Sequence, residues 1–189
     1  MSTLARYLKI LADPRVPIVI ATGPAGTGKT YNACRVASKA VQSRRILTRP
    51  AVSVDEEHGF LPGDLSQKMA PWLQPMTDNL AKHVDFEVCA FSHMRGRTFD
   101  DAFILADEMQ NSTPSQMKLL LTRIGFESKL VVMGDVEQHE RGFEHNGLAD
   151  LLKRLAVYPV PGIEVVTFTD DDVQRHAIIK DVLRLYLSD

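Results

Sequence analysis

Residues 23–30 read GPAGTGKT, and this stretch decides the fold because of what stands on either side of it. The residues before it, Val16–Thr22 (VPIVIAT), form a β-branched apolar run. The residues after it, KTYNACRVASKAVQS, carry apolar side chains at helical spacing. The pattern G-x-x-x-x-G-K-[ST] between a strand and a helix is typical of a phosphate-binding loop. The sequence therefore predicts a strand, a phosphate loop and a helix in succession.

Each part of this loop has an expected role around a nucleoside triphosphate. Its glycines allow backbone N–H groups to turn towards phosphate oxygens, and the start of the helix adds its positive end. We expect Lys29 to contact the β- and γ-phosphates and the Thr30 hydroxyl to bind Mg²⁺. The predicted nucleotide-binding residues are Gly23, Pro24, Ala25, Gly26, Thr27, Gly28, Lys29, Thr30 and Tyr31.

Short apolar runs alternate with helical patterns along the rest of the chain. Further strands are predicted at RRILT, FEVCAF, AFILAD, KLVVMGD and IEVVTF. Further helices are predicted from about Asp64, over TPSQMKLLLTRIG with Thr113 as N-cap and Pro114 at the first position, over NGLADLLKRLAV and over DDVQRHAIIKDVLRLYL. This alternation predicts one α/β domain over residues 1–189, with a mainly parallel sheet, helices on both faces and a ligand cleft at the carboxyl ends of the strands.

Composition limits the class of protein. The 189 residues are 44% hydrophobic and 24% charged, which is ordinary for a globular domain. No apolar run approaches the roughly 20 residues needed to span a bilayer, so no membrane partner is expected. Cys34 and Cys89 lack metal-ligand spacing and are predicted to be core residues of a cytoplasmic protein. The net charge of −2 gives no global signal for nucleic acid, and for the local basic clusters a solvated surface is as good a prediction as a binding face.

The segment AFILADEMQNSTP, residues 102–114, places two acids at the end of a buried strand. Carboxylates there are costly unless they face a cation, water or a polar cleft. Beside a phosphate loop, Asp107 is expected to hold Mg²⁺ through water and Glu108 to deprotonate the water that attacks the γ-phosphate. The pair favours hydrolysis over phosphoryl transfer to a small molecule. The alternative for Glu108 is a salt bridge or a cap.

Two later segments supply further candidate catalytic residues. VVMGDVEQ ends a second buried run on Asp135 and Gln138, and an amide there can touch the γ-phosphate or the attacking water; an Asx-type turn is the alternative. Arg175, near the start of the last predicted helix, can act as an arginine finger in its own subunit or a neighbouring one. A plain surface arginine is the alternative for Arg175.

Together these segments resemble the PhoH family of P-loop ATPases. The resemblance rests on GPAGTGKT, ILTRPAV, GFLPGDL, MRGRTFDDAFILADEMQNSTPSQMK, LTRIGFESKLVVMGD and VQRH, in that order. It implies a RecA-like domain similar to the ATPase core of superfamily 1 helicases, and a cytoplasmic, ATP-hydrolysing protein associated with RNA. By resemblance, Gln110 couples hydrolysis to the rest of the protein. Arg49 falls where such helicases contact a nucleic-acid backbone, and Arg95 and Arg97 can serve the same strand or a subunit contact.

The predicted function is Mg²⁺-dependent hydrolysis of ATP coupled to RNA or single-stranded nucleic acid, with ATP and Mg²⁺ as cofactors. The resemblance implies that longer members carry an N-terminal glutamine expected to read adenine; MSTLARYLKILADP contains no glutamine, so the choice between ATP and GTP stays open. A superfamily 1 helicase has two RecA-like domains, so movement along a strand by this chain would require a homo-oligomer, such as a hexameric ring. The alternative is a nucleotide-gated oligomeric interaction module, and a small-molecule kinase is a third, weaker hypothesis.

Overall fold

The computed structural model describes residues 1–50, 73–138 and 146–173. In this part of the chain six strands form one parallel sheet in the order β3-β2-β4-β5-β1-β6. The strands are β1 (Ile18–Thr22), β2 (Arg44–Thr48), β3 (Glu87–Val88), β4 (Ala102–Ala106), β5 (Lys129–Gly134) and β6 (Ile163–Thr167). The predicted α/β fold with a parallel sheet is confirmed.

The central strands are predominantly apolar because both faces of the sheet are covered, and their polar end residues Thr22 and Lys129 are buried as well. Every residue of β1, β4 and β5 is buried. Continuous Val, Ile and Leu runs are typical of parallel strands packed between two helical layers. These strands could be predicted because a continuous apolar run indicates a buried strand even when its partner strands are not known.

One face of the sheet is covered by α1 (Thr3–Ala12) and α2 (Lys29–Ala37). The first helix is capped by the Ser2 side chain, which accepts a hydrogen bond from the Ala5 N–H. Its Tyr7 ring meets the Phe168 ring edge-on at 5.4 Å, in the apolar core of this face. Helix α1 was not among the predicted elements, although a serine cap followed by apolar residues at helical spacing indicates a helix.

The other face is covered by α3 (Phe91–Met94), α4 (Pro114–Leu121) and α5 (Gly147–Val157). Thr113 caps α4 in a capping box with Gln116, and Pro114 takes the first helical position as predicted. The helix ends at Leu121, earlier than the predicted segment. Among the described residues no helix has both the length and the apolar character needed to cross a bilayer.

The predicted strand FEVCAF was wrong over most of its length. Only Glu87 and Val88 pair with β2, and Phe91 already begins α3. The run has suitable apolar residues, but Phe91 turns into α3 and is buried in the core of this face with Met94 instead of extending the strand. The helix predicted from about Asp64 begins outside the described residues, and the closing helix predicted over DDVQRHAIIKDVLRLYL also falls almost wholly outside them.

The strand order decides which loops meet at the carboxyl edge. Because β5 lies between β1 and β4, the loop after β1 and the acids after β4 are separated by the width of one strand, about 10 Å from β1 to β4. The polar residues after β5 therefore lie between them. Open α/β sheets bind ligands at this edge.

Candidate nucleotide site

The phosphate loop runs from the end of β1 into α2. Gly23, Gly26 and Gly28 all have positive φ, at 128°, 83° and 83°. At Gly23 space is also decisive, since a Cβ there would lie 2.2 Å from the backbone oxygen of Phe168. Glycine is the residue that adopts such angles without strain. The curled loop predicted from the motif is therefore present.

Lys29 is buried and lies across the inside of this loop. Its Nζ donates to the carbonyl oxygens of Gly23 at 2.6 Å and Pro24 at 2.8 Å. The Thr27 hydroxyl also donates to the Pro24 carbonyl, at 3.0 Å. These bonds hold the ammonium group beside the backbone that the motif assigns to phosphate binding.

A hydrogen bond joins the loop to the β4 acids. The Thr30 hydroxyl donates to Asp107 Oδ2 at 3.0 Å, between residues 77 positions apart in the chain. Asp107 is buried, and burial together with the neighbouring Glu108 raises its pKa to about 6, although the Thr30 hydrogen bond works in the opposite direction. A bound cation would stabilise the charged form of a carboxylate that is buried beside a second acid.

Oxygen atoms from a hydroxyl and a carboxylate are the ligands that Mg²⁺ prefers, so Thr30 and Asp107 fit this ion. Within the part of the chain that the structure describes, no group of three or more His, Cys, Asp or Glu side chains could hold a metal by itself. Magnesium commonly keeps several waters and takes its remaining ligands from substrate phosphates. The donor set here suits an ion that arrives with a nucleotide.

Glu108 has a left-handed backbone, with φ 53° and ψ 38°. This conformation is uncommon for a residue other than glycine, although Asp101 and Glu127, which do not line the cleft, also have positive φ. The Glu108 Oε1 lies 3.8 Å from Arg49 Nη2, and its Oε2 accepts a hydrogen bond from Gln110 Nε2 at 2.5 Å. The carboxylate is thus held between the end of β2 and the short 3₁₀ helix Met109–Asn111.

Gln110 connects the acids of β4 to the end of β5. While its amide nitrogen donates to Glu108, its Oε1 accepts from the backbone N–H of Asp135 at 3.2 Å. Gly134 leaves the room for this contact, because a Cβ there would lie 2.5 Å from the same oxygen. The sequence suggested a coupling role for Gln110 by resemblance alone, and the close approach of Gly134 was not foreseen.

These residues surround a cleft of about 250 Å³ at the carboxyl edge. Arg49, Gln138 and Tyr31 line it, and Tyr31 is partly exposed. Pro75, which the motifs did not indicate, also contributes. Among the described residues the lining consists of Ala25, Gly26, Gly28, Lys29, Thr30, Tyr31, Arg49, Pro75, Asp107, Glu108, Gly134, Asp135 and Gln138. Arg175 lies outside the described residues, and its role stays a prediction.

The other two arginines of the nucleic-acid prediction lie away from this cleft. Arg97 donates to Glu87 Oε1 at 2.6 Å and its guanidinium sits 4.7 Å from the centre of the Phe99 ring. Arg95 is exposed and borders a shallow groove of about 310 Å³ together with Lys118 of α4. The structure therefore separates the three arginines into three environments.

The sheet, the glycine-rich loop and the acids after β4 define a P-loop protein of the α/β class, and this combination fits nucleotide binding. A family model described as PhoH-like protein matches residues 2–187. The chain belongs to the PhoH-like family, so the resemblance noted from the sequence is confirmed.

Curated relatives carry the same family name. The chain is 39% identical to a PhoH-like protein of Bacillus subtilis over 204 residues, covering 98% of this chain and 63% of the relative. It is 43% identical over 186 residues to a PhoH-like protein of Mycobacterium tuberculosis, covering 89% and 52%. Protein PhoH of Escherichia coli is 36% identical over 200 residues, covering 95% and 55%. The chain thus spans between about half and two thirds of the length of these relatives.

Proposed function

We propose that the protein hydrolyses ATP with the help of Mg²⁺. The observation that carries this proposal is the hydrogen bond of 3.0 Å between Thr30 and Asp107, with Glu108 next in the chain. It joins the loop expected to hold phosphates to the acids expected to hold the ion and activate water. The PhoH-like family and the parallel sheet support the same assignment.

In this mechanism the phosphate loop binds the triphosphate, and Lys29 stabilises negative charge on its outer phosphates. Bound Mg²⁺ would neutralise charge on the β- and γ-oxygens, with Thr30 and Asp107 as its protein ligands, directly or through water. Glu108 accepts a proton from water while the water oxygen bonds to the γ-phosphorus. The bond from the γ-phosphorus to the bridging oxygen breaks, and ADP leaves with the electron pair.

The test is phosphate release by wild type and Glu108→Gln. We expect kcat to fall by about 10² to 10⁴, the usual contribution of a positioned base, while nucleotide binding persists. Glu164→Gln is the matched control, since Glu164 lies on the outer strand β6 in an exposed pair with Arg6. A Glu108→Gln protein as active as wild type would show that Glu108 is not the base.

We further propose that hydrolysis is coupled to RNA or another single strand. Support comes from the groove beside Arg95, whose lining, as far as the described residues go, contains Lys118, Leu119, hydroxyl and amide side chains and no acidic residue. Backbone phosphates suit such a surface, and binding to them weakens as salt rises. We expect added strand to raise the rate, and affinity for a labelled strand to fall between 50 mM and 200 mM salt by about ten-fold or more.

Static light scattering with and without ATP, in the absence of nucleic acid, separates this function from a nucleotide-gated interaction module. A size change on adding ATP, with no strand binding even at low salt, would favour the module. Strand-stimulated hydrolysis by a homo-oligomer would favour the coupled ATPase.

A further inference from the structure

The Glu108 carboxylate has contacts towards both strands that flank β4, which are β2 and β5. Arg49 follows β2, and β2 is the neighbour of β4 on the side away from the phosphate loop. Gln110 instead ties Glu108 to the end of β5, the strand between β4 and the phosphate loop. The ion pair with Arg49 therefore attracts the carboxylate away from the side where the triphosphate is proposed to bind, and the Gln110 bond retains it near that side.

The contact with Arg49 is the weaker of the two. Its N–O separation is 3.8 Å, an ion pair rather than a short hydrogen bond, whereas the Gln110 amide approaches to 2.5 Å. The Arg49 side chain is 20% exposed and lines the same cleft as Lys29. A guanidinium presents a planar fork of donors that matches phosphate oxygens especially well. A phosphate entering this cleft can therefore compete with Glu108 for Arg49.

We propose that Arg49 is a positioning residue for Glu108 that exchanges this carboxylate for a phosphate oxygen. While Arg49 is paired with Glu108, the base is kept towards β2. When a phosphate takes the guanidinium, Glu108 remains on Gln110 alone, beside β5 and the triphosphate. The phosphate belongs to the nucleotide or to the backbone of a strand, and the recognition chemistry is the same. The inference rests on the proposed function, since it concerns the same carboxylate.

The exchange is tested by a double-mutant cycle of ligand binding, with wild type, Arg49→Ala, Glu108→Gln and the double variant. The probes are a non-hydrolysable imido analogue of ATP, ADP, and a short labelled single strand. If Glu108 competes with a phosphate for Arg49, then Glu108→Gln tightens binding in the wild-type background more than in the Arg49→Ala background. We expect the factor by which Glu108→Gln tightens binding to differ by about three-fold or more between the two backgrounds, which is within the range of coupling found for residues in contact.

The pattern across probes identifies the phosphate. Coupling with the ATP analogue but not with ADP assigns it to the γ-phosphate, and coupling with the strand assigns it to the nucleic acid. A merely structural contact would not discriminate between these ligands. Equal tightening in both backgrounds for every probe, which direct repulsion by Glu108 would produce, overturns the proposal.

Two controls protect the interpretation. The Arg6–Glu164 pair, with an N–O separation of 3.2 Å, joins α1 to the edge strand β6 and does not line the cleft, so the same cycle there should show no coupling to any ligand. Arg49→Lys keeps the charge without the fork, and is expected to retain part of the coupling should Arg49→Ala fold poorly. Because no probe needs to be hydrolysed, an inactive but nucleotide-binding protein would refute the proposed hydrolysis and still decide the role of Arg49.

Discussion

Acids lie close to arginines in two regions of this protein, and the pKa values of the acids shift in opposite directions in the two regions. At the edge strand β3, Glu87 accepts hydrogen bonds from Arg44 at 2.8 Å and Arg97 at 2.6 Å. Burial opposes its ionisation, but the two arginines outweigh burial and lower the pKa of Glu87. In the cleft, burial and the adjacent Glu108 raise the pKa of Asp107 to about 6.

The difference lies in whether the charges compensate one another. The guanidinium groups of Arg44 and Arg97, which both pair with Glu87, also lie over the Phe99 ring at 5.6 Å and 4.7 Å. The charges of this cluster therefore have partners within the cluster. Asp107 instead accepts hydrogen bonds from two uncharged groups, the Thr30 hydroxyl and the Glu108 backbone N–H, and Glu108 adjoins it as a second acid. A carboxylate buried beside a second acid is costly to ionise, and groups with perturbed pKa values concentrate at functional sites.

The largest expected effect is that of removing the cation of the phosphate loop. Lys29→Ala should lower the rate of ATP hydrolysis by about 10² to 10³, comparable to losing one donor to a developing charge. Phosphate release and binding of a fluorescent nucleotide measure the effect. Lys39→Ala, an exposed lysine of the segment after α2, is the matched control and should behave like wild type. If Lys29→Ala lowered the rate less than ten-fold, the cleft would not depend on its cations for activity, and it would no longer differ in this respect from the Glu87 cluster.

Asp107→Asn should stabilise the nucleotide-free protein near pH 8. The folded-state pKa of about 6 lies above the ordinary value of 3.8, so charging Asp107 costs free energy when the protein is folded. The protein therefore loses stability as pH rises between about 4 and 6, by up to about 3 kcal/mol. The variant lacks this loss, and its advantage should vanish near pH 4.

Urea unfolding of wild type and Asp107→Asn across this pH range measures the difference. Asp171→Asn, at an exposed position, is the control for adding an amide elsewhere. A variant that is less stable than wild type at every pH would mean that the Thr30 hydrogen bond outweighs the cost of the buried charge.

Gly134→Ala tests the contact between the acids of β4 and the end of β5. The new methyl group would lie 2.5 Å from Gln110 Oε1 and 2.8 Å from Leu148 Cδ2. We expect a stability loss of about 1 to 3 kcal/mol, typical of overpacking, together with slower hydrolysis as Gln110 is displaced. Gly96→Ala is the control for hydrolysis alone, because open space surrounds that glycine and it lies outside the cleft, while its φ of 74° strains an alanine and lowers stability without reaching Gln110. If Gly134→Ala hydrolyses ATP at the wild-type rate, the position of Gln110 does not matter for the reaction.

The smallest expected effect belongs to the Glu87 cluster. Arg97→Ala removes a half-exposed ion pair and a contact with Phe99, so the free energy of unfolding should fall by about 1 kcal/mol or less. The basal rate of hydrolysis should stay unchanged. A large loss of activity from Arg97→Ala would contradict the view that this cluster serves the fold.

Local features of the site could be predicted from the sequence. The glycines of the phosphate loop, the Thr113 cap and the apolar strands β1, β4 and β5 each depend on a few adjacent residues, and all appear as expected. The error in the strand FEVCAF occurs where tertiary packing decides, because Phe91 packs into the core with α3. The surroundings of Arg97 likewise depend on Glu87, ten positions earlier in the chain, which the motif around Arg97 does not indicate.

The sequence by itself determined that a strand, a phosphate loop and a helix follow one another, and that two acids end a buried strand. Those facts follow from backbone preferences and burial over short stretches. The tertiary structure decided that β5 lies between β1 and β4, that Thr30 reaches Asp107, and that Glu108 is shared between Arg49 and Gln110. Parallel strands can be ordered in many ways with the same local patterns, so only the packed sheet specifies which loops meet.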